Sequence, residues 1–223
     1  SAVRRWEAVW GRFEGVNWAD KVSTPLAHTT TPPRFVLHAV AATLDRMDGI
    51  LVYQQIRDLI ERGALTSNPP IAPAQIQPGS LDLRLATRGY RVRAGFLPEH
   101  TTVAERLEDT TLYAFDLTDG AILEKGHCYV LPLLERIAQP LDCWIRANPK
   151  SSTGRLDLFT RVLADNCGRF EQVPPGYTGP LYLEIVPRSF PGKVRTGLSL
   201  SQIRFSGGDA ELSDEEIRAE HAR

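Results

Sequence analysis

The sequence lacks several features that would place it in a common functional class. It contains no run of about 18 apolar residues, which excludes a transmembrane helix. Its formal net charge of −1 excludes a polybasic surface for nucleic acids or membranes in the bulk composition. The three cysteines, Cys128, Cys143 and Cys167, are odd in number and widely spaced, so we expect reduced thiols in a cytoplasmic protein. The charged first twenty residues also lack the apolar core of a signal peptide.

Sequence motifs of several nucleotide-dependent and metal-dependent enzymes are missing as well. Neither G-x-x-x-x-G-K-S/T nor G-x-G-x-x-G is present, and there is no G-x-S-x-G nucleophile motif. The nearest approach to a zinc-deaminase motif is His127-Cys128, but no P-C-x-x-C follows it. We therefore predict that the chain itself provides no metal site and needs no zinc.

The N-terminal part of the chain differs from the rest. Residues 1–46 contain three of the four tryptophans, and the only methionine, Met47, follows them directly. This arrangement favours Met47 as the native start and residues 1–46 as a non-native upstream segment. A genuine N-terminal extension is the alternative interpretation.

The C-terminal residues 207–223 form an acidic tail that follows a β-rich domain at residues 47–206. Ser213 and Glu216 have the spacing of a capping box, which predicts that a helix begins there. A second repeat of the domain that starts in this tail is a further interpretation.

Helical periodicity is clearest at the beginning of the 47–206 domain. The spacing of Ile56, Leu59 and Ile60 predicts a short amphipathic helix after Leu51, and Gly63 is placed to end it. A proline-rich connection at residues 68–73 then excludes regular structure.

The remainder of the domain has the alternation that is typical of strands. Turn signals at Asp119-Gly120, Pro175-Gly176 and Pro191-Gly192 separate short segments of this kind. The clearest alternating positions are Leu81, Leu83 and Leu85, and then Leu181, Leu183 and Ile185. These patterns predict a mainly antiparallel β domain.

One turn carries chemistry that suits phosphate. Residues 148–155 place three hydroxyl side chains between Lys150 and Arg155, with a proline and a glycine that favour irregular backbone. Cations, hydroxyls and backbone N–H groups can together hold a polyphosphate without a P-loop. Taken alone, the same segment would more often be a solvated surface turn.

Four ordered blocks give this turn a context. They lie at residues 77–85, 148–155, 175–184 and 200–205, and together they resemble the dCTP deaminase and dUTPase superfamily over residues 49–206. The details are similar to the N-terminal half of the two-repeat dCTP deaminases of proteobacteria. This resemblance implies a distorted antiparallel β-barrel (dUTPase-like, a β-clip) with a short N-terminal helix and peripheral helices. It also implies assembly as a homotrimer, or as a pseudo-trimer through repeats.

The resemblance also implies roles for particular residues. Glu184 takes the place of the catalytic acid and base, Ser151 helps to hold the water, and Arg155 fixes the carboxylate and the developing charge. Asp82 and Arg84 would support the fold or the site. The substrate-binding residues implied by the resemblance are Lys150, Ser152, Thr153, Gly154, Tyr177, Tyr182, Leu183 and Gln202.

The implied substrate is dCTP, whose triphosphate would bring Mg²⁺ with it. Tyr177 would pack on the deoxyribose, although a tyrosine in a turn is as often simple packing. Alternation by itself places Glu184 on a solvent face, opposite Leu183.

The predicted reaction is hydrolytic deamination of dCTP to dUTP and ammonia, which supplies dUMP for thymidylate synthesis. The aspartate that dUTPases use before the tyrosine-containing turn is replaced by Pro174, which cannot act as a base. Two alternatives stay open. One is a non-catalytic nucleotide-binding repeat of a larger deaminase, and the other is a dUTP pyrophosphatase or bifunctional enzyme.

Overall fold

The computed structural model describes residues 49–208 and 212–222, so the predicted extension at residues 1–46 lies outside the described residues. The helices are α1 (Tyr53–Glu61), α2 (Val103–Thr110), α3 (Ser151–Arg155) and α4 (Asp214–His221), with a 3₁₀ turn at Pro73–Gln75. The strands are β1 (Gly49–Ile50), β2 (Leu65–Thr66), β3 (Ile76–Gln77), β4 (Ser80–Arg84), β5 (Arg88–Val92), β6 (Thr111–Asp116), β7 (Ala121–Leu123), β8 (Cys128–Ile137), β9 (Trp144–Pro149), β10 (Leu158–Ala164), β11 (Gln172–Val173), β12 (Gly179–Pro187), β13 (Gly192–Val194) and β14 (Ser199–Gly207).

These strands form two larger antiparallel sheets and a small ribbon. Sheet A has the order β11-β9-β14-β4-β3, with β1 also paired to β14, and sheet B has the order β10-β12-β8-β5-β6, with β2 paired to β8. Strands β7 and β13 form the ribbon. An isolated bridge between Leu85 and Leu133 links the end of β4 to β8. The predicted mainly antiparallel β class is confirmed, and the distorted barrel takes the form of two linked sheets.

Apolar side chains of both sheets form the main core. Leu81 and Leu83 of sheet A and Leu183 and Ile185 of sheet B are fully buried within one cluster. Each such side chain contributes about 1.5–3 kcal/mol by leaving water. The alternation that predicted these strands therefore reflects their inward-facing positions.

A second, smaller core covers the other face of sheet B. Val103 and Leu107 of α2 are buried in a cluster with Val92, Val130 and Leu163 of the sheet. Sheet B is consequently buried on both faces around Val130 of β8 and Leu163 of β10. Helix α2 was not predicted from the sequence.

Two predictions about helix ends are confirmed, one at each end of the β domain. Helix α1 is followed by Gly63, which has a φ of +74° and so takes the left-handed conformation that favours glycine at a helix end. Helix α4 begins with the predicted capping box, in which the Glu216 N–H donates to Ser213 Oγ and the Ser213 N–H donates to Glu216 Oε2. Among the described residues, no helix has the length and apolar character needed to cross a membrane.

Candidate active site

Glu184 lies in the middle of sheet B. It belongs to β12 and stands opposite Arg161 of β10 on one side and Val130 of β8 on the other. Its neighbours Leu183 and Ile185 point into the main core, so Glu184 faces the other side of the sheet, as alternation predicted. That face is covered, and the Glu184 side chain is 1% exposed. The solvent-facing environment that alternation alone predicted for Glu184 is therefore wrong.

One oxygen of this carboxylate is held by Arg161. The Arg161 Nε donates to Glu184 Oε1 at 3.0 Å, and Nη2 donates to the same oxygen. The guanidinium carbon lies 3.5 Å from the ring centre of Phe170 and 5.1 Å from that of Phe159. Stacking on aromatic rings and forked donation both restrict the orientation of a guanidinium. Arg161 is thus a fixed partner for the buried carboxylate.

The other oxygen, Glu184 Oε2, is buried and has no hydrogen-bond partner within residues 49–208 and 212–222. Gly95 lies directly against it. A β-carbon at position 95 would stand 3.1 Å from Glu184 Cδ and 3.3 Å from Arg161 Nη2, and would meet Oε2 well inside contact distance. An unpaired buried carboxylate oxygen is unfavourable for stability and leaves room for a further donor. Asp82 Oδ1 is the other carboxylate oxygen of this kind among the described residues.

Cys128 is the other titratable group beside this carboxylate. Burial, and then the negative charge of Glu184, raise the pKa of the Cys128 thiol to about 12. The thiol is therefore protonated at neutral pH and is not an activated nucleophile. All three cysteines are free, as predicted.

The predicted phosphate-binding turn is the short helix α3, which is fastened to sheet A. Lys150, just before α3, forms an ion pair with Asp82 of β4. The Lys150 N–H donates to the Leu200 carbonyl at 2.9 Å, and the Thr153 hydroxyl donates to the same carbonyl at 2.8 Å. These contacts fix the turn and leave Ser151, Ser152, Gly154 and Arg155 exposed to solvent.

Two of the side chains predicted to bind substrate are buried, unlike the exposed residues of α3. Thr153 is 1% exposed, and its hydroxyl is used by the Leu200 carbonyl. Leu183 is fully buried in the main core, on the opposite face of sheet B from Glu184. Both side chains serve packing or anchoring within this chain, and their contact with a nucleotide remains a prediction.

A cleft of about 680 Å³ extends from the turn towards Arg161. Its lining includes Gly154, Phe159, Arg161, Glu171 and Arg188. Burial raises the pKa of the Glu171 carboxyl, against the opposing effects of the Val162 N–H at 2.9 Å and the charge of Arg161. No contact in the described part of the chain joins Ser151 or Arg155 directly to Glu184.

The two tyrosines predicted to bind substrate both contact other residues of this chain. The Tyr177 hydroxyl donates to the Pro180 carbonyl at 2.6 Å and accepts the Asp165 N–H at 3.3 Å, and burial raises its pKa. Tyr182 packs against the second core, where burial raises its pKa to about 12. Tyr177 thus stabilises its own turn, and its predicted packing on a deoxyribose remains a prediction.

The remaining predicted residues lie in sheet A and beside it. Gln202 Oε1 accepts the Ser80 hydroxyl at 2.7 Å. Arg84 forms a buried ion pair with Glu135, 2.7 Å from Arg84 Nε to Glu135 Oε1. Among the residues that the structure describes, no group of three or more His, Cys, Asp and Glu side chains is arranged to hold a metal ion.

Arg161, Gly95 and Phe170 at this site were not predicted from the sequence. The resemblance implies that Arg155 fixes the Glu184 carboxylate; within this chain the Arg155 Nε donates to the Ser151 carbonyl at 3.4 Å, and that role remains a prediction. Antiparallel pairing of β10 with β12 was the signal that could have pointed to Arg161, because it sets the two residues opposite each other.

Comparisons with known proteins give a consistent result. Residues 47–209 match the family model described as the 2'-deoxycytidine 5'-triphosphate deaminase N-terminal domain. A protein of Corynebacterium kroppenstedtii named "dCTP deaminase, dUMP-forming" is 34% identical over 137 residues, which are 61% of this chain and 69% of that protein. A protein of Methanothermobacter thermautotrophicus with the same name is 33% identical over 142 residues, 61% of this chain and 67% of that protein.

A solved structure is also similar. The crystal structure of 2'-deoxycytidine 5'-triphosphate deaminase from Agrobacterium tumefaciens superimposes with a TM-score of 0.73 at 50% sequence identity. The match covers 79% of this chain and 53% of that one. The chain therefore spans about half the length of the Agrobacterium protein.

Proposed function

The chain belongs to the family of 2'-deoxycytidine 5'-triphosphate deaminase N-terminal domains, and on that premise we propose that it deaminates dCTP hydrolytically with Glu184 as the catalytic acid and base. The observation that carries the proposal is the state of this carboxylate. It is buried, one oxygen is saturated by Arg161, and the other is unpartnered among the described residues. Such a group has the capacity to accept and return a proton at one defined atom.

The proposed steps need one carboxyl and one water. Glu184 Oε2 accepts a proton from water as the water oxygen attacks C4 of cytosine. The carboxyl then gives that proton to N3, and a second proton, taken from the new hydroxyl, passes through the same carboxyl to the amine. The C4–N bond breaks, so dCTP and water give dUTP and ammonia. General acid and base action of this kind contributes about 10²- to 10⁴-fold.

The exposed part of α3 suits the triphosphate. Ser151, Ser152 and the Arg155 guanidinium offer hydroxyl and charged donors to solvent, and Lys150 adds a cation that Asp82 orients. We propose that Mg²⁺ enters this region bound to the triphosphate and that the chemistry at the base needs no zinc. A cytoplasmic location accords with a nucleotide substrate and belongs to the same proposal.

A second candidate concerns the product. The Corynebacterium and Methanothermobacter relatives are named as dUMP-forming, whereas Pro174 stands where a dUTPase has its aspartate. A dUMP-forming enzyme would use a second water to split dUTP into dUMP and pyrophosphate. Either product would supply dUMP for thymidylate synthesis, directly or after a further hydrolysis.

An assay on the full chain separates these functions. We expect ammonia release from dCTP, with slower release from CTP and dCMP, and nucleotide analysis to identify dUTP or dUMP as the product. Pyrophosphate release from dUTP without any ammonia from dCTP would instead support a pyrophosphatase. Binding of dCTP without either product would support a non-catalytic repeat.

We also propose that the complete site forms between copies of the domain, in a homotrimer or in a pseudo-trimer of repeats. The support is that Arg155 is exposed and makes no described contact with Glu184 in one chain. If each site takes Arg155 from one copy and Glu184 from another, a mixture of inactive R155A and E184Q chains should recover activity. Equal mixing restores about a quarter of the sites by random assembly. Mixed assemblies without recovery would assign both residues to one chain.

A further inference from the structure

We propose that Arg161 is a positioning residue that holds Glu184 Oε1 and thereby leaves Oε2 as the oxygen that transfers protons. This inference rests on the proposed function and adds a residue to its site. The sequence motifs point to Arg155, which lies in the exposed turn, and not to Arg161.

The hydrogen bonds define this role. A carboxylate oxygen accepts through two lone pairs, and Oε1 receives both Nε and Nη2 of Arg161. Oε2 receives no N–H or O–H donor from the described residues, although it is equally buried; the weakly donating Cys128 thiol faces the carboxylate. The two oxygens of one carboxylate are therefore inequivalent, and Oε2 is the one that is free to accept a proton from water.

The surroundings of Arg161 keep it in place. Its guanidinium stacks on Phe170 at 3.5 Å from the ring centre and lies beside Phe159. Gly95 closes the other side, since a β-carbon there would be 3.3 Å from Arg161 Nη2. The Arg161 side chain is 29% exposed and lines the cleft, whereas Glu184 is 1% exposed. Arg161 thus stands between the cleft and the carboxylate.

Other ionisable groups near the pair are few in the part of the chain that the structure describes. Cys128 of β8 faces Glu184 with a protonated thiol. The positive charge of Arg91 of β5 opposes the rise in the pKa of that thiol. Glu171 faces Arg161 from the cleft wall. Among these groups, Arg161 is the cation that contacts the Glu184 carboxylate directly.

The test uses the full chain with R161M, R161K and, as a control, R169M, which removes an exposed arginine next to Phe170 in sequence. We expect R161M to lower kcat for dCTP about 10²-fold, as misplacement of a reacting group does, with little change in KM. R161K keeps the charge but not the fork, so we expect its kcat to lie between those of R161M and wild type. R169M should match wild type.

The outcomes separate this inference from the proposed function. A wild-type chain that releases no ammonia would contradict the function itself. An active wild type with an R161M variant of unchanged kcat would overturn the role of Arg161. If R161M does not fold by circular dichroism, R161K decides, and a wild-type kcat in R161K would likewise overturn it.

Discussion

Replacement of Glu184 by glutamine should lower ammonia release from dCTP about 10²- to 10⁴-fold while the fold is retained. The amide oxygen can still accept from Arg161 at the Oε1 position, so the buried contact survives. An amide, however, cannot take a proton from water at neutral pH, and the proton transfer at Oε2 is lost. Steady-state kinetics, together with calorimetric measurement of dCTP binding, would check this result.

The chain provides a matched control in Glu135. This glutamate is also buried beside an arginine, with a side chain 3% exposed, but it lies next to Arg84 and Gln75 in the structural network of sheet A. We expect E135Q to reduce thermal stability and to leave kcat unchanged. Equal kcat in E184Q and wild type would contradict the catalytic role of Glu184. A loss of kcat in both variants would show that replacing any buried glutamate lowers turnover and that the effect is not specific to Glu184.

The comparison of sequence and structure shows which parts of this site depend on local pattern. Alternation along β12 predicted the correct face for Glu184, because successive side chains point to opposite faces of any strand. It could not predict the environment of that face, which α2 and the second core create from residues far earlier in the chain. Thr102 and Glu105 carry the capping box of α2, so the helix itself was detectable, but its docking on sheet B was not.

Polar residues in the predicted substrate-binding motifs show a second limit on prediction from sequence. The hydroxyls of Thr153 and Tyr177 belong to the motifs on which the resemblance rests. Both nevertheless donate hydrogen bonds to backbone carbonyls of the chain itself. Sequence spacing does not distinguish a hydroxyl that faces a ligand from one that anchors a turn, because both occur in irregular backbone. The partner of Glu184 was missed for a related reason: Arg161 is brought there by strand register, 23 residues away in sequence.

The two buried glutamate–arginine pairs differ in how fully their carboxylates are satisfied. Glu135 Oε1 accepts from Gln75 Nε2 at 2.9 Å and Arg84 Nε at 2.7 Å, and Oε2 accepts the Arg84 backbone N–H at 2.7 Å. Glu184 has donors on one oxygen only, counted over the described residues. A saturated pair suits structure, since every acceptor is paired in both the presence and absence of ligand. An unsaturated pair suits chemistry, because one oxygen is available for a proton.

Loss of Arg84 should therefore appear in stability and not in turnover. We expect R84M to lower the free energy of unfolding by about 3–5 kcal/mol, because it leaves the Glu135 charge buried without its cation. Arg84 also donates from Nη2 to Ser67 Oγ at 2.7 Å and to the Pro69 carbonyl at 2.8 Å, and these contacts would be lost too. Urea unfolding of the full chain measures the difference, with the slope checked against wild type.

A double variant separates charge from packing. In R84M/E135Q the uncompensated charge is removed, while the new side-chain amide oxygen can still accept the backbone N–H of position 84, so about 1–3 kcal/mol of the loss should be recovered. The kcat of the folded fraction should equal that of wild type in both variants, since neither residue lines the cleft beside Arg161. Unchanged stability in R84M would contradict the structural role of the pair. A kcat that falls in step with stability would mean that the Arg84–Glu135 network, like Arg161, serves the reacting carboxylate.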